Sequence, residues 1–374
     1  MNRSVLDVAP FLLSPAATSC DVSRSGKPKS RGPKVSILIP SYNRADVIRE
    51  TLECAVSQTY QNIEVIVGDN QSTDGTYQII RDYAAKYPSV IAFRNQENLG
   101  PARNWRKCLD RASGEYIKIL WSDDLITRDF VQTCLPYLTE HEDVGFVFTA
   151  AELFCAETGK KKTQYVIGET GLYDTMLFIR ECLLDGPVPT SPANAIFRRT
   201  DLEKNLLIDV PNKIGSDFSM HTLGTDALIY LLTAKDYPRF AFVNQVLSFF
   251  RSHRSSITIS SNRYDRLILY NIAKAFFAEN YLDDKELPRG QRSELKRALA
   301  LKLFLICLSG RDKNTLGVRS LRDFYPGEVR VRMSDFLRAG PILRRLAAKA
   351  WGKYGLETCG DRLISRLQSK CLSR

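Results

Sequence analysis

Two adjacent aspartates, Asp123 and Asp124, stand directly behind the apolar run Glu115–Trp121 and Ser122. Mg²⁺ and Mn²⁺ take oxygen ligands, usually one or two carboxylates together with phosphates. Carboxylates behind a strand therefore suit a metal that holds a diphosphate. Two more polar clusters close apolar runs in the same way. Ser41-Tyr-Asn43 follows Lys34–Pro40, and Asp69-Asn-Gln-Ser-Thr-Asp-Gly75 follows Ile63–Gly68. No Gly-rich phosphate cradle accompanies them, neither GxGxxG nor GxxxxGK(S/T). A dinucleotide enzyme and a P-loop ATPase are thereby disfavoured.

The elements that must carry these clusters can be read from periodicity. Lys34–Pro40 and Ile63–Gly68 are β-branched runs of buried-strand type. Val90–Phe93 and Glu115–Trp121 are two further strands. Helical spacing falls between them, over Asn43–Gln58, Thr76–Lys86 and Asn98–Ser113. Strands alternating with helices predict β-α-β units and a mostly parallel mixed sheet flanked by helices. Ligands sit at the carboxyl ends of such strands, where all three polar clusters fall. Asp74 or Thr73 also suits the cap of the second helix. Farther on, Phe130–Leu138 and Thr225–Ala234 read as helices, and Val144–Thr149 and Ala241–Leu247 as strands. Tyr264–Tyr281, Arg292–Leu308 and Ile342–Lys353 are helical in period. Three units are expected: a flexible lead-in over 1–33, a catalytic α/β domain over 34–260, and a basic helical region over 261–374.

Composition narrows the class. At about 150 residues per domain, 374 residues suggest two domains or one with an appendage. Hydrophobic residues at 44% and charged residues at 25% are those of a globular chain. No apolar run approaches the roughly 18 residues of a membrane span, and residues 1–31 lack the apolar core of a secretion signal. Nine scattered cysteines without a CxxC pair suit a reduced compartment, and three histidines without paired spacing disfavour zinc. The net charge of +11 is uneven. Residues 1–250 hold 27 Lys and Arg against 30 Asp and Glu, whereas residues 251–374 hold 26 against 12. In the tail, basic residues such as Arg344, Arg345 and Lys349 interleave with Leu343, Leu346 and Trp351. That pattern fits either an interfacial helix on an anionic membrane surface or a solvated bundle. No nucleic-acid motif accompanies the charge, so nucleic acid is not an expected partner. The expected location is the cytoplasm or the cytoplasmic face of the membrane.

Several segments in register resemble the family 2 glycosyltransferases of GT-A fold. They are Val35–Arg44, Ser57-Gln-Thr-Tyr60, Ile63–Thr76, Asn98-Leu-Gly-Pro-Ala-Arg103, Gly114–Ile117 and Ser122-Asp-Asp124. The resemblance is strong over about 34–150 and weaker over 180–260. It implies that Pro40 and Tyr42 touch the nucleotide base, with Tyr42 stacking on it. Asp69 matches the first of the family's two base-reading acids, and Asn70 stands at the second. An amide can still accept from a pyrimidine N3–H and donate to a carbonyl, which leaves uracil, thymine and guanine open. Arg103 matches a basic position near the nucleotide. The family's Asp-x-Asp becomes Trp121-Ser122-Asp123. The retained Asp123, the following Asp124, and His253 in the closing Arg-x-His segment of Phe250–Thr258 are the implied ligands of Mn²⁺ or Mg²⁺. Arg251 is an alternative diphosphate contact. The general base matches Asp226, ahead of an apolar helix, with Asp217 its rival.

The resemblance thus implies an inverting transfer of sugar from a nucleotide-sugar donor to a hydroxyl of a glycan or lipid-linked acceptor, in cell-surface polysaccharide synthesis. A retaining or metal-independent member is the nearest enzymatic alternative. The alternative of another class is a non-catalytic relative that binds a nucleotide or glycan as an assembly subunit. The presence of Asp123, Asp124 and Asp226 favours the enzyme.

Overall fold

The computed structural model describes residues 32–253, 261–284, 289–310 and 313–326. The expected lead-in, the helix Ile342–Lys353 with the rest of the basic tail, and most of the closing segment after His253 lie outside the described residues.

Ten strands form one mixed sheet. They are β1 (Val35–Ser41), β2 (Ile63–Asp69), β3 (Val90–Arg94), β4 (Tyr116–Ile119), β5 (Leu125–Ile126), β6 (Val144–Phe154), β7 (Lys161–Gln164), β8 (Gly171–Asp174), β9 (Ala195–Arg198) and β10 (Arg239–Arg251). The order is β3-β2-β1-β4-β9-β6-β10-β5, with β7 beside β6 and β8 beside β10. Pairing is parallel along β3-β2-β1-β4 and again between β6 and β10. The short β9 runs antiparallel between β4 and β6 and joins the two parallel blocks.

Burial on both faces explains the unbroken apolar runs, as parallel strands covered by helices require. Ile37 and Ile39 of β1 pack with the helices α1 (Ile48–Val56) and α2 (Thr76–Lys86). Leu38 faces the opposite layer, with Trp105 of α3 (Pro101–Leu109). The predicted third helix is thus shorter than Asn98–Ser113. Gly100 has φ 78°, and Pro101 fixes the first helical position. The predicted helix Phe130–Leu138 is in fact two, α4 (Phe130–Cys134) and α5 (Pro136–Thr139), because Pro136 starts afresh. Lys161 and Lys162 pair with β6 in an exposed strand.

The second layer holds α6 (Thr175–Leu183), α7 (Arg199–Asn205), α8 (Thr225–Asp236), α9 (Arg263–Asn280) and α10 (Arg289–Gly310). Thr225–Ala234 of α8 is buried all round, as expected of a helix apolar on every side. Ile268, Leu269, Ile272 and Ala273 of α9 share its core. The approach is close at Gly224, where a Cβ would stand 2.8 Å from the Ala273 side chain and 3.0 Å from the Leu269 carbonyl. With φ 101° as well, this position requires glycine. The contact brings the start of α8 against the middle of α9. Among the described residues, no helix is long and apolar enough to cross a membrane.

Candidate active site

A cavity of about 1250 Å³ opens beyond the carboxyl ends of β1 and β4 and is closed by α8 and α9. Its walls include Pro40, Tyr42, Asn70, Asp123, Asp124 and Asp226. The loops behind β1 and β2 are laced into one wall. Asn43 N–H donates to Ser72 Oγ at 2.9 Å, and Arg44 N–H to Thr76 Oγ1 at 2.7 Å. Thr73 N–H donates to Asn43 Oδ1 at 2.9 Å, and Ala45 N–H to Asp74 Oδ2 at 3.1 Å. Asp74 also accepts from Thr76 N–H at 3.1 Å, but the cap of α2 is Gly75, with φ 89°, rather than the expected Asp74 or Thr73. Tyr42 is left 42% exposed on this wall.

Asp69 and Asn70 are placed differently from each other. Asp69 is fully buried and outside the cavity lining. Its Oδ2 meets Arg94 Nε at 3.1 Å and accepts from Ser72 N–H at 3.1 Å, while Oδ1 has no partner. Asn70 lines the cavity but uses its amide on the following loop. Its Oδ1 accepts from Leu99 N–H and Asn95 Nδ2, each at 3.0 Å, and its Nδ2 donates to Asn98 Oδ1 at 2.7 Å.

On the floor, Asp123 Oδ2 lies 2.8 Å from His253 Nε2 and 3.4 Å from Arg44 Nε. Asp124 is turned inward. Its Oδ1 accepts from the Arg251 N–H at 2.9 Å. Burial, and then the Asp123 charge, push its carboxyl well above the usual carboxylate range. The Arg251 guanidinium is held by Glu50 at 2.6 Å and by the Asp123 carbonyl at 3.0 Å. Beneath them, Lys118 lies over the Phe130 ring at 4.0 Å, and burial pushes its ammonium down to about 7. Trp121 is half-buried on the cavity wall. It donates from Nε1 to Ser191 Oγ at 2.9 Å and packs edge-on against Trp105 at 5.3 Å.

These groups can be tested for a divalent metal. Two ligands about 2.1 Å from Mg²⁺ or Mn²⁺ and at right angles stand about 3 Å apart. The 2.8 Å between Asp123 and His253 matches that spacing. Among the described residues, no three His, Cys, Asp or Glu side chains converge. A metal here would therefore have two protein ligands and lean on phosphate oxygens, as small divalent ions commonly do. Asp124 Oδ1 is already engaged by backbone, so Asp123 and His253 are the better-placed pair.

Across the cavity, Asp226 sits in the first turn of α8. Its Oδ1 accepts from the N–H groups of Gly224 and Ala227, each at 2.9 Å, and its Oδ2 from the Tyr270 hydroxyl at 2.7 Å. Burial pushes the carboxyl up to about 7 against these hydrogen bonds. A base titrating near neutral pH is well matched to general-base work. Asp217 is outside the lining and half exposed. Hydrogen bonds from Ser219 hold its carboxyl below the usual range. Arg103 is also outside, bonded to Ser219 and 3.9 Å from Asp217.

Sequence reasoning missed Arg44, Arg266 and Tyr270, all of which line the cavity. A signal existed for the last two. Arg263, Arg266, Leu267 and Tyr270 follow i, i+3, i+4, i+7 spacing and share one face of α9.

Comparisons with known proteins agree with this architecture. The family model described as "Glycosyl transferase family 2" matches residues 36–206. Abequosyltransferase RfbV of Salmonella typhimurium is 36% identical over 113 residues, covering 29% of this chain and 34% of that protein. Minor teichoic acid biosynthesis protein GgaB of Bacillus subtilis is 29% identical over 194 residues, covering 50% of this chain and 20% of that protein. The chain spans between 16% and 57% of the length of the first four curated relatives it matches. The crystal structure of S. aureus TarS 1–349 with UDP superposes with a TM-score of 0.59 at 19% identity, over 86% of this chain and 89% of that one. The same protein with UDP-GlcNAc gives 0.57 at 17%, over 86% and 81%. The fold is the α/β fold of GT-A proteins.

Proposed function

We propose that this chain, which belongs to glycosyl transferase family 2 through residues 36–206, moves a sugar from a nucleoside-diphosphate donor to an acceptor hydroxyl with inversion. One observation carries the reading: Asp226 and Asp123 line one cavity, with His253 2.8 Å behind Asp123 and the Asp226 carboxyl raised to about 7. The donor lies along the wall of Pro40, Tyr42 and Arg44, with its base on the exposed ring of Tyr42.

Asp123 and His253 are the residues that would hold Mn²⁺ or Mg²⁺. Such an ion supplies Lewis-acid stabilisation of the charge on a departing diphosphate. The chain's own groups do the rest. Asp226 takes the proton from the acceptor hydroxyl. That oxygen bonds to the anomeric carbon from the face opposite the diphosphate. The bond from the anomeric carbon to the diphosphate oxygen breaks, and its electron pair leaves with the nucleoside diphosphate. General-base assistance of this kind is worth roughly 10²–10⁴-fold. Tyr270 and two backbone N–H groups keep the carboxylate oriented.

The acceptor is a hydroxyl of a glycan or of a lipid-linked intermediate in cell-surface polysaccharide synthesis, reached from the cytoplasmic face. The names of two relatives, an abequosyltransferase and a minor teichoic acid biosynthesis protein, support a glycan-building role. The test is Asp226→Asn, with transfer followed by release of nucleoside diphosphate. Loss of transfer by at least about 10²-fold is expected, and unchanged transfer removes Asp226 as the base.

A further inference from the structure

A second, smaller cavity of about 240 Å³ lies behind the first, between the loop after α6 and the inner face of α9. Thr190, Leu267 and Tyr270 line both cavities. Tyr270, whose hydroxyl holds the Asp226 carboxylate, is thus part of the wall they share. Four further charged or amide side chains line the smaller one: Glu181, Asp185, Asn271 and Lys274. Asn271 is fully buried. Its Nδ2 donates back along the helix to the Leu267 carbonyl at 2.6 Å, which fixes the amide's orientation. Its Oδ1 is then left without a donor. A buried acceptor with no partner is costly and rare in a folded protein. Lys274 Nζ bonds to Asp185 Oδ1 at 2.7 Å, and the buried Lys302 meets the same oxygen at 2.8 Å.

We propose that this second cavity is an acceptor subsite that receives a neutral, hydroxyl-bearing sugar ring. The inference rests on the transferase reading given above. Its volume lies below the roughly 300–1,000 Å³ of whole drug-sized ligand sites, so it takes a single ring. Its charge decides between an anion and a polyol. Each charge that lines it is already paired, Lys274 with Asp185 and Glu181 with Arg180, which leaves no uncommitted cation for an anionic ligand. What is missing is a donor for Asn271 Oδ1, and a sugar hydroxyl supplies one while accepting from a neighbour. Val188 and Leu267 give the ring an apolar face. A ring seated here lies beside Tyr270, whose hydroxyl holds the Asp226 carboxylate.

The test is saturation-transfer NMR of the full chain with methyl glycosides of glucose, galactose, mannose and N-acetylglucosamine. Such binding requires no turnover. The wild type and Asp226→Asn should both show transfer to at least one glycoside. Asn271→Leu should weaken that binding about five- to tenfold, the worth of one hydrogen bond in a desolvated site. Val188→Phe, which fills the cavity from the opposite wall, should do the same. Each variant is first checked for a wild-type melting profile. Glycoside signals that are absent in the wild type, or undiminished in both cavity variants, overturn the subsite. Nucleoside-diphosphate stabilisation is measured in parallel. If that fails while Asn271-dependent glycoside binding persists, the transferase reading falls and the sugar pocket stands.

Discussion

The hydroxyl of Tyr270 donates to Oδ2 of Asp226 across 2.7 Å, joining a helix that follows the sheet to the first turn of α8. The bond depends on Gly224, because any side chain there would hold α9 away. A carboxylate that accepts hydrogen bonds has its charged form favoured, whereas burial favours the neutral form. At Asp226 burial is the stronger, and the group titrates near 7. Tyr270 therefore sets how far the base can ionise at neutral pH.

Tyr270→Phe removes one donor and leaves the ring. A hydrogen bond to a charged group is worth about 1.5–3 kcal/mol, or roughly one to two pH units. The acid limb of the pH–rate profile should move up by about one unit, with near-complete recovery of rate in alkaline buffer. An unmoved limb with uniformly lowered kcat would assign Tyr270 a packing role only.

Asp226 also makes stability depend on pH. Its folded pKa, about 7, is raised above the unfolded value of about 3.9. The folded state thus holds the proton more tightly, and its contribution to stability is full below about 4 and is lost as pH rises through about 7. Asp226→Asn keeps an acceptor for Gly224 and Ala227 and cannot ionise. At pH 8 it should be the more stable protein, by at most about 4 kcal/mol. The advantage in melting temperature should shrink towards pH 4. An Asn variant that melts below the wild type at pH 8 contradicts the environment described for this carboxyl.

The acidic pair should divide by role. Asp123→Ala and His253→Ala should each weaken Mn²⁺-dependent nucleotide binding at least about tenfold, since both stand where a metal would be held. Asp124→Asn should weaken it less, because the Asp124 side chain receives the Arg251 backbone and faces inward. Calorimetric titration of the three variants with nucleoside diphosphate and Mn²⁺ checks the order. Equal losses at Asp123 and Asp124 would make Asp124 a ligand.

How far the sequence foretold this site follows from the range of the interactions. β1, β2 and β4 were legible because each is a short β-branched run buried on both faces and closed by polar residues. That also placed Tyr42, Asn70, Asp123 and Asp124 at one edge of the sheet. The strands β7, β8 and β9 were not legible. Each has four residues, and β9 exists to satisfy neighbours on both sides rather than through its own pattern. The role of Tyr270 was hidden for another reason. Its contact spans 44 positions and arises from how α9 docks on α8. At Asn70 an amide's ability to recognise a base is visible in sequence, whereas its engagement by Asn95, Asn98 and Leu99 depends on the path of one loop. Asp217 and Asp226 lie nine positions apart in the sequence, and only their burial separates an exposed carboxylate from one raised to about 7.

The most direct measurement is thermal unfolding with UDP, dTDP, GDP and CDP, each with and without Mn²⁺, for the wild type and Asp123→Ala. A ligand at about a hundred times its dissociation constant adds about 2.7 kcal/mol of stability. One nucleotide should stabilise the wild type in the presence of Mn²⁺, keep doing so in Asp226→Asn, and lose most of its effect in Asp123→Ala. If none of the four stabilises the chain with metal present, the donor site described here is contradicted.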